Sequence, residues 1–202
     1  PAEYMASVLT HNQGDIEKIS FFMEECKRQG IPVLGPDVNE SQVNFDVNQA
    51  HQIRFGLGAI KGAGTAAVEA IIAAREDGEP YDSIFALVER VSHKAVNKKT
   101  LESLAMAGAF DNLSQYHRRQ YLYAAPGEDT LLEKALRYGQ QVRQERDSAQ
   151  QSLFGDTSGI QLNKRPEGVS CAPYEEIERL KMEKEVVGFY ISGHPLAQYQ
   201  VE

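Results

Sequence analysis

The chain has 202 residues, of which 42% are hydrophobic and 25% are charged, and its net charge is −8 at neutral pH. This composition excludes a disordered or fibrous protein and predicts globular folding as one large or two small domains. No apolar run approaches the ~20 residues that a transmembrane helix needs, so we expect no membrane partner.

Two cysteines, Cys26 and Cys171, lie far apart in the sequence, and neither belongs to a Cys-x-x-Cys motif. We therefore predict neither a zinc site nor a disulfide, and we expect a reducing, cytoplasmic location. The five histidines are scattered singly and are expected at the surface or at helix ends rather than on a metal. The first residues, PAEYMASVL, look like the inside of a domain, so we expect a piece of a longer chain.

Helices and short extended segments alternate at the start of the chain. Residues 2–9 suggest one helix, and Asp15 opens a second whose apolar residues recur along one face. Gly30 is the expected end of that second helix. Partly alternating stretches then predict short strands or extended loops at residues 31–34, 43–47 and 52–57.

The strongest motif lies in residues 53–75, which read IRFGLGAIKGAGTAAVEAIIAAR. Two glycines flank one small residue directly before a run of good helix formers, so a tight turn is expected to lead into a helix. N–H groups at a helix start lack partners and the helix dipole is positive there, which makes the turn an anion site. The predicted phosphate contacts of this turn are Lys61, Gly62, Ala63, Gly64 and Thr65, the last also as a possible cap.

Other motifs fit these glycines less well. A dinucleotide-binding GxGxxG beginning at Gly56 fails because its last position is Lys61, and no phosphate-binding GxxxxGK[ST] is present. A turn that binds nothing stays open as an alternative. The pattern h-x-G-h-G, followed by Ala67 and Ile71, favours a helix-hairpin-helix.

A second helix, turn and helix follow. Asp82 or Ser83 can cap the first of these helices, and the second runs from residue 97 to about residue 107. The turn between them has no Gly-x-Gly, yet polar and basic residues gather at its tip. A second, degenerate phosphate contact and a solvated lysine surface both remain open for this group. Its members are Lys94, Asn97, Lys98 and Lys99.

Charge is distributed unevenly along the chain. Residues 49–100 carry a net charge of +1, from seven basic and six acidic residues, whereas every other part is acidic. This distribution is compatible with local contact to phosphate and argues against broad electrostatic wrapping of nucleic acid. We expect the piece to bind nucleic acid weakly by itself.

The rest of the chain is mostly helical by pattern. A helix is expected near Tyr116, a long charged one over residues 129–150, and a last one over residues 174–188. The stretch QQSLF ends the long helix and offers the apolar pair Leu153 and Phe154 as anchors for a partner's pocket, unless they fold back on the chain's own core. Together these elements predict a mainly α fold with a few short β-strands.

Several stretches together resemble one protein family. These are IRFGLGAIKGAGTAAVEAIIAAR, VNKKTLESLAMAGAFDNL, QQSLFG and EKEVVGFYISGHPL, in this order. They are similar to the C-family DNA polymerases, the family of the alpha subunits of bacterial replicative DNA polymerase III. PAEYMA and GIPVLGPDVNES also resemble the fingers domain of this family, so the resemblance covers nearly the whole chain.

The resemblance implies a fingers-type helical segment followed by a tandem helix-hairpin-helix. It assigns residues 1–48 to the C-terminal part of the fingers domain and residues 49–113 to the tandem helix-hairpin-helix. The other assignments are helices ending in a clamp-binding motif at 114–154, a mobile linker at 155–173, and a C-terminal helix with the SGHPL segment at 174–202.

The resemblance also implies a role in DNA replication. The hairpins would hold the backbone of double-stranded DNA without reading bases, and a sliding clamp would tether the enzyme for processive synthesis. Other replicase subunits are expected partners. Gln151 departs from many clamp-binding motifs, which carry an aliphatic residue there and bind more tightly. The residues that match the motif Q-x-x-L-F are Gln150, Ser152, Leu153 and Phe154.

Catalysis in this family depends on paired palm aspartates that hold two metal ions. The palm lies upstream in the family, and no region here resembles it. We therefore predict a non-catalytic segment of a DNA-directed DNA polymerase, with no cofactor or metal in the segment and Mg²⁺ in the absent palm domain. Four isolated acids are expected to face solvent: Asp37, Asp46, Asp111 and Glu183.

Two functions of other classes compete with this prediction. A helix-hairpin-helix DNA glycosylase needs a catalytic Asp facing a base pocket, and Asp82 and Asp111 are poorly placed for that role. A purely structural or protein-interaction helical module without DNA contact is the stronger alternative. A duplex-binding titration separates these functions, because only the first hypothesis predicts salt-sensitive affinity for any sequence.

Overall fold

A computed structural model describes residues 1–113, 115–151 and 164–193. Its helices are α1 (Ala2–His11), α2 (Ile16–Arg28), α3 (Thr65–Glu76), α4 (Ile84–Arg90), α5 (Lys98–Ala107), α6 (Arg118–Leu122), α7 (Leu131–Gln151) and α8 (Glu176–Val187). Its strands are β1 (Val33–Leu34), β2 (Asp46–Val47) and β3 (Ile53–Arg54). The predicted mainly α fold with a few short strands is confirmed. Within these ranges, no helix is both long and apolar enough to cross a bilayer.

Local capping sets the start of the second helix. The side chain of Asp15 accepts a hydrogen bond from the N–H of Lys18 at 3.1 Å, so α2 begins where the sequence predicts. Gly30 follows the last turn with a φ of 67°, a left-handed value that favours glycine. Leu9 of α1 and Ile19 of α2 are buried in the common core, so both helices pack on the rest of the chain.

The three strands form one small sheet in the order β1, β3, β2. β1 and β3 are parallel, with Val33 opposite Ile53, and β2 is antiparallel to β3, with Asp46 opposite Arg54. All three lie inside stretches that the sequence predicts as strands or extended loops. The sheet joins residues on both sides of the predicted boundary between positions 48 and 49, which remains a prediction.

A loop before the second strand is buried under α3. Asp37 is only 3% exposed, so the prediction that it faces solvent is wrong. Its carboxylate accepts the N–H of Asn39 at 2.7 Å, and its own N–H donates to the Ser41 hydroxyl at 2.9 Å. Arg75, also buried, donates to the carbonyl oxygens of Val38 and Ser41 at 3.1 and 2.9 Å. Burial of Asp37 is tolerated because its carboxylate accepts hydrogen bonds from groups that would otherwise need water as a partner.

A buried ion pair connects α6 with α8. Glu183 is 1% exposed, contrary to the prediction that it faces solvent, and it accepts a hydrogen bond from Arg118 at 2.8 Å. Arg118 also binds Asp111 through two nitrogens, at 2.9 and 2.7 Å, so Asp111 is paired rather than isolated. Burial disfavours the charge on Arg118, but its two carboxylate partners raise the pKa of the guanidinium overall. Asp46 and Asp111 are both exposed as expected, although Asp111 is ion-paired.

Helix α7 packs closely on the C-terminal end of α4. A Cβ atom at Gly139 would meet the Val88 carbonyl oxygen at 2.4 Å, so only glycine permits this approach. Arg143 donates to the same carbonyl at 2.7 Å, and the Tyr138 hydroxyl bonds Glu89 at 2.9 Å. Residues 144–148 beyond this contact are exposed. The first two-thirds of α7 is thus fixed to α4, whereas residues 144–148 of the same helix face solvent.

The second half of the predicted mobile linker lies against the helices. Arg165 pairs with Glu89 of α4 at 3.1 Å, and the ring nitrogen Nε2 of His117 lies 2.9 Å from the Cys171 carbonyl oxygen. Residues 164–173 therefore make specific contacts, unlike the free linker that Gly, Ser and Pro content predicts. Residues 155–163 lie outside the described residues.

Two buried tyrosines differ in whether their hydroxyl groups are hydrogen-bonded. Within the described residues, the Tyr121 hydroxyl has no partner, whereas the Tyr81 hydroxyl donates to the Ile71 carbonyl at 2.7 Å. Tyr121→Phe should raise the free energy of unfolding by about 1 kcal/mol, because it removes an unsatisfied buried group. Tyr81→Phe should lower it by about 1 kcal/mol. Urea unfolding at neutral pH measures the free energy of unfolding of both variants. If both variants changed it equally and in the same direction, the difference in hydrogen bonding between the two hydroxyl groups would be contradicted.

The dependence of stability on alkaline pH provides a second test of the Tyr121 environment. Burial raises the pKa of Tyr121, so the unfolded chain loses its phenolic proton first as the pH rises. The contribution of the protonated Tyr121 hydroxyl to the free energy of unfolding is therefore fully present below the ordinary tyrosine pKa of about 10, and it is lost as the pH rises above that value. The advantage of Tyr121→Phe over the wild type should therefore widen between about pH 9 and about pH 11.

Candidate nucleic-acid interface

The first hairpin turn joins a 3-10 turn, Leu57–Ala59, to the start of α3. Gly62 and Gly64 have φ values of 89° and 75°, which explains why glycine stands at both positions. Gly64 is the N-cap of α3 and supplies no side-chain cap, so Thr65 is not the cap; its other predicted role, as a hydroxyl donor, stays a prediction. Thr65 is instead the first helical residue. The element before the turn is a single 3-10 turn rather than an extended segment or an α-helix.

Some main-chain N–H groups at this turn are already used by the protein. Lys61 donates to the Val186 carbonyl oxygen at 2.7 Å, and Ala63 donates to the Ile60 carbonyl oxygen at 3.1 Å. Ala63 is also fully buried, so the prediction that its amide meets phosphate is wrong. Besides the N–H of the buried Ala67, four N–H groups of exposed residues at the turn and helix start have no acceptor within the described residues. They belong to Gly62, Gly64, Thr65 and Ala66.

These four residues are all exposed, as is Lys61. A Cβ atom at Gly64 would have no neighbour within 4 Å, so the space in front of the helix start is open. The α3 N-terminus thus presents unpaired N–H groups and a positive dipole end to solvent, with a lysine side chain beside them. Chemically, this arrangement suits an oxyanion such as a phosphodiester.

The second turn has the same layout with a different cap. The Asn97 side chain accepts the N–H of Thr100 at 3.0 Å and caps α5, so its oxygen is used inside the protein. Lys94 stands three residues before this cap, as Lys61 stands three residues before Gly64. Asn97 has a φ of −109°, which needs no glycine. The second turn therefore forms without the Gly-x-Gly motif of the first.

Side chains of α5 hold the two hairpins together. The Thr100 hydroxyl donates to the Ala63 carbonyl oxygen at 3.1 Å, and the Ser103 hydroxyl lies 2.6 Å from the position of a Cβ at Gly62. The Lys99 side chain approaches the same Gly62 position at 3.5 Å. Sequence reasoning missed these contacts, although two polar residues three positions apart on an otherwise apolar helix face were a signal for them.

The predicted lysines differ in their surroundings. Lys98 is paired with Glu133 of α7 at 2.8 Å and lies 3.7 Å from Glu102. Lys61, Lys94 and Lys99 are exposed and have no acidic partner within the described residues. The structure thus places Lys61 and Lys99 at the first turn, and it places Lys98 in an ion pair.

Of the predicted clamp-binding residues, Gln150 belongs to the backbone of α7. Ser152, Leu153 and Phe154 lie outside the described residues.

Comparison with known proteins agrees with this architecture. A sequence model of the helix-hairpin-helix motif matches residues 30–121. DNA polymerase III subunit alpha of Pseudomonas aeruginosa is 36% identical over all of the chain, which spans 18% of that relative. The corresponding protein of Escherichia coli K12 is 37% identical over all of the chain and 17% of its own length. That of Thermus aquaticus is 37% identical over 98% of the chain and 15% of its own length.

Over nearly all of its length, the chain is similar to one segment of the DNA polymerase III alpha subunits. It spans less than a fifth of the length of these DNA polymerase III alpha subunits. Within residues 1–113, 115–151 and 164–193, no three His, Cys, Asp or Glu side chains are grouped to hold a metal ion.

Proposed function

We propose that this chain is the part of a replicative DNA-directed DNA polymerase that holds the backbone of duplex DNA. The observation that carries the proposal is the set of free, exposed N–H groups at the start of α3, with Lys61 and Lys99 beside them. Phosphate contact of this kind tolerates every base sequence, which a replicative enzyme requires. Nucleotidyl transfer, and the Mg²⁺ that it needs, would belong to a palm domain outside this chain.

The contact is expected to be local. Three unpaired lysines and four amides serve the two turns, whereas the chain as a whole has a net charge of −8. Long-range attraction of DNA is therefore weak, and affinity depends on placing phosphates directly at the α3 start. In a cytoplasmic replicase, neighbouring subunits and the rest of the polymerase would supply the remaining affinity.

Tethering to a sliding clamp is the second part of the proposal. Leu153 and Phe154 are adjacent large apolar residues after a polar helix, and Gln150 precedes them by three and four positions. Such a short segment binds by inserting its apolar anchors into a pocket. A clamp that encircles the same DNA makes each rebinding of the polymerase intramolecular, so synthesis becomes processive.

Charge reversal at the first turn tests the DNA proposal. Lys61→Glu should weaken binding of the 202-residue chain to a short duplex about tenfold, because it removes one phosphate contact and adds repulsion. The slope of log affinity against log salt should become shallower by about 0.9. Fluorescence anisotropy with two duplexes of unrelated sequence measures both quantities, and the two duplexes should give equal affinities.

Lys27→Glu is the matched control, since Lys27 is an exposed lysine on α2 with the same change in charge. Gly62→Asp should weaken binding as strongly as Lys61→Glu, because it distorts the turn and repels phosphate, and thermal unfolding verifies that it folds. If Lys61→Glu and Lys27→Glu weaken binding equally, or if neither changes it, the hairpin does not bind DNA. The chain would then be a structural or protein-interaction module.

A further inference from the structure

One lysine of the second hairpin is held by an acid on another helix. Lys98 lies in the first turn of α5, and its amine is 2.8 Å from a carboxylate oxygen of Glu133 on α7. Both side chains remain partly exposed, at 50% for Lys98 and 29% for Glu133. An incoming phosphate can therefore reach Lys98, but only in competition with its acidic neighbours, of which Glu133 is the nearer and Glu102, at 3.7 Å, the farther.

Glu133 is fixed in place independently of the lysine. Its second carboxylate oxygen accepts the Thr130 N–H at 2.9 Å and the Thr130 hydroxyl at 3.0 Å, which together cap the start of α7. The hydrogen bond from Lys98, followed by that from Thr130, lowers the pKa of Glu133. The carboxylate thus stays ionised and correctly placed at neutral pH.

The helix that carries Glu133 cannot easily move away. Gly139 and Arg143 hold α7 against the Val88 carbonyl at the end of α4, within the same hairpin that ends in α5. The acid and the lysine are therefore both attached to the second hairpin. A phosphate that binds Lys98 replaces one anion with another, so the net gain in free energy is small.

We propose that Glu133 limits the DNA affinity of the second hairpin by competing with backbone phosphate for Lys98. This inference rests on the proposed function and adds to it a residue that restrains binding. The consequence is a tandem of two hairpins, of which the first binds phosphate strongly and the second weakly. Such a pair lets a moving polymerase release each phosphate, because the total contact stays modest.

Glu133→Gln is the decisive variant. Glutamine keeps the shape and the acceptor oxygen that caps α7, but it removes the nearer of the two acidic charges beside Lys98, since Glu102 lies farther away at 3.7 Å. We expect the 202-residue chain to bind duplex DNA roughly fivefold more tightly. The salt slope should become steeper by about 0.9, which corresponds to one added phosphate contact.

Glu128→Gln is the matched control, because Glu128 is an exposed acid just before α7 that pairs with Lys134 at 2.9 Å. It changes the net charge equally but does not touch Lys98. The double variant Glu133→Gln with Lys98→Ala should lose the gain. An equal gain from Glu128→Gln, or a gain that survives Lys98→Ala, would overturn the inference.

Comparison with the first turn separates this inference from the proposed function. If Lys61→Glu weakens binding and Glu133→Gln does not strengthen it, only the role of Glu133 is rejected. If Lys61→Glu has no effect either, the DNA proposal fails and this inference fails with it.

Discussion

Glu183→Ala is expected to lower the free energy of unfolding by about 3 kcal/mol, measured by urea unfolding at neutral pH. The residue is 1% exposed and neutralises Arg118, whose side chain is 9% exposed. Its removal leaves a buried guanidinium with Asp111 as the one remaining acid within the described residues. It also leaves the Ser192 N–H and hydroxyl without their acceptor, each now bound at 3.1 and 2.8 Å. Both losses act in the same direction.

A neighbouring acid provides the control for this prediction. Glu185 lies on the same helix and is exposed, so Glu185→Ala should change stability by no more than about 0.5 kcal/mol. Replacing the pair together, with Arg118→Met and Glu183→Leu, should recover most of the loss because no buried charge remains. A loss below about 1 kcal/mol for Glu183→Ala would mean that water already solvates Arg118.

Replacing Leu153 and Phe154 by alanine is expected to abolish capture of this chain by a bacterial sliding clamp. Apolar anchors in a pocket typically contribute 2 kcal/mol or more each, so affinity should fall by roughly three orders of magnitude. Surface plasmon resonance with the purified clamp measures the change. Gln151→Leu should act in the opposite direction and tighten binding, because it restores the aliphatic residue of the family's motif.

The control for clamp binding removes a similar amount of apolar surface at a different place in the sequence. Ile160 and Leu162 follow the motif, and their replacement by alanine should leave capture unchanged. Unchanged capture after the loss of Leu153 and Phe154 would reject the tether. The DNA proposal would be unaffected, since it depends on residues of the first hairpin.

Helix starts were predictable from the sequence because capping is local. Asp15, Ser83 and Asn97 each accept an N–H three residues later, and each begins a helix at the expected place. The Gly-x-Gly turn was equally readable, since φ values of 89° and 75° demand glycine whatever surrounds them. These features depend on residues within a few positions of one another.

The electrostatic details of the site were not predictable in this way. Glu133 and Lys98 are 35 residues apart, and Arg118 and Glu183 are 65 apart, so no spacing rule connects them. Asp37 was expected in water for the same reason, because the Asn112 side chain that donates to its carboxylate is 75 residues away in the sequence. A lone charge in a sequence indicates solvent by default, and only the fold reveals its partner.

The close contact of Gly139 with Val88 has a geometric consequence for the residues that follow α7. It anchors α7 at one point, and the helix beyond rises about 1.5 Å per residue, so Gln151 stands about 18 Å further along the axis. The anchored helix therefore acts as a spacer of fixed length between the hairpins and the residues that follow it. Each residue added to α7 would also rotate the end of the helix by about 100° around its axis. The number of residues in α7 thus sets both how far from the hairpins the following chain begins and on which side of the helix axis it begins.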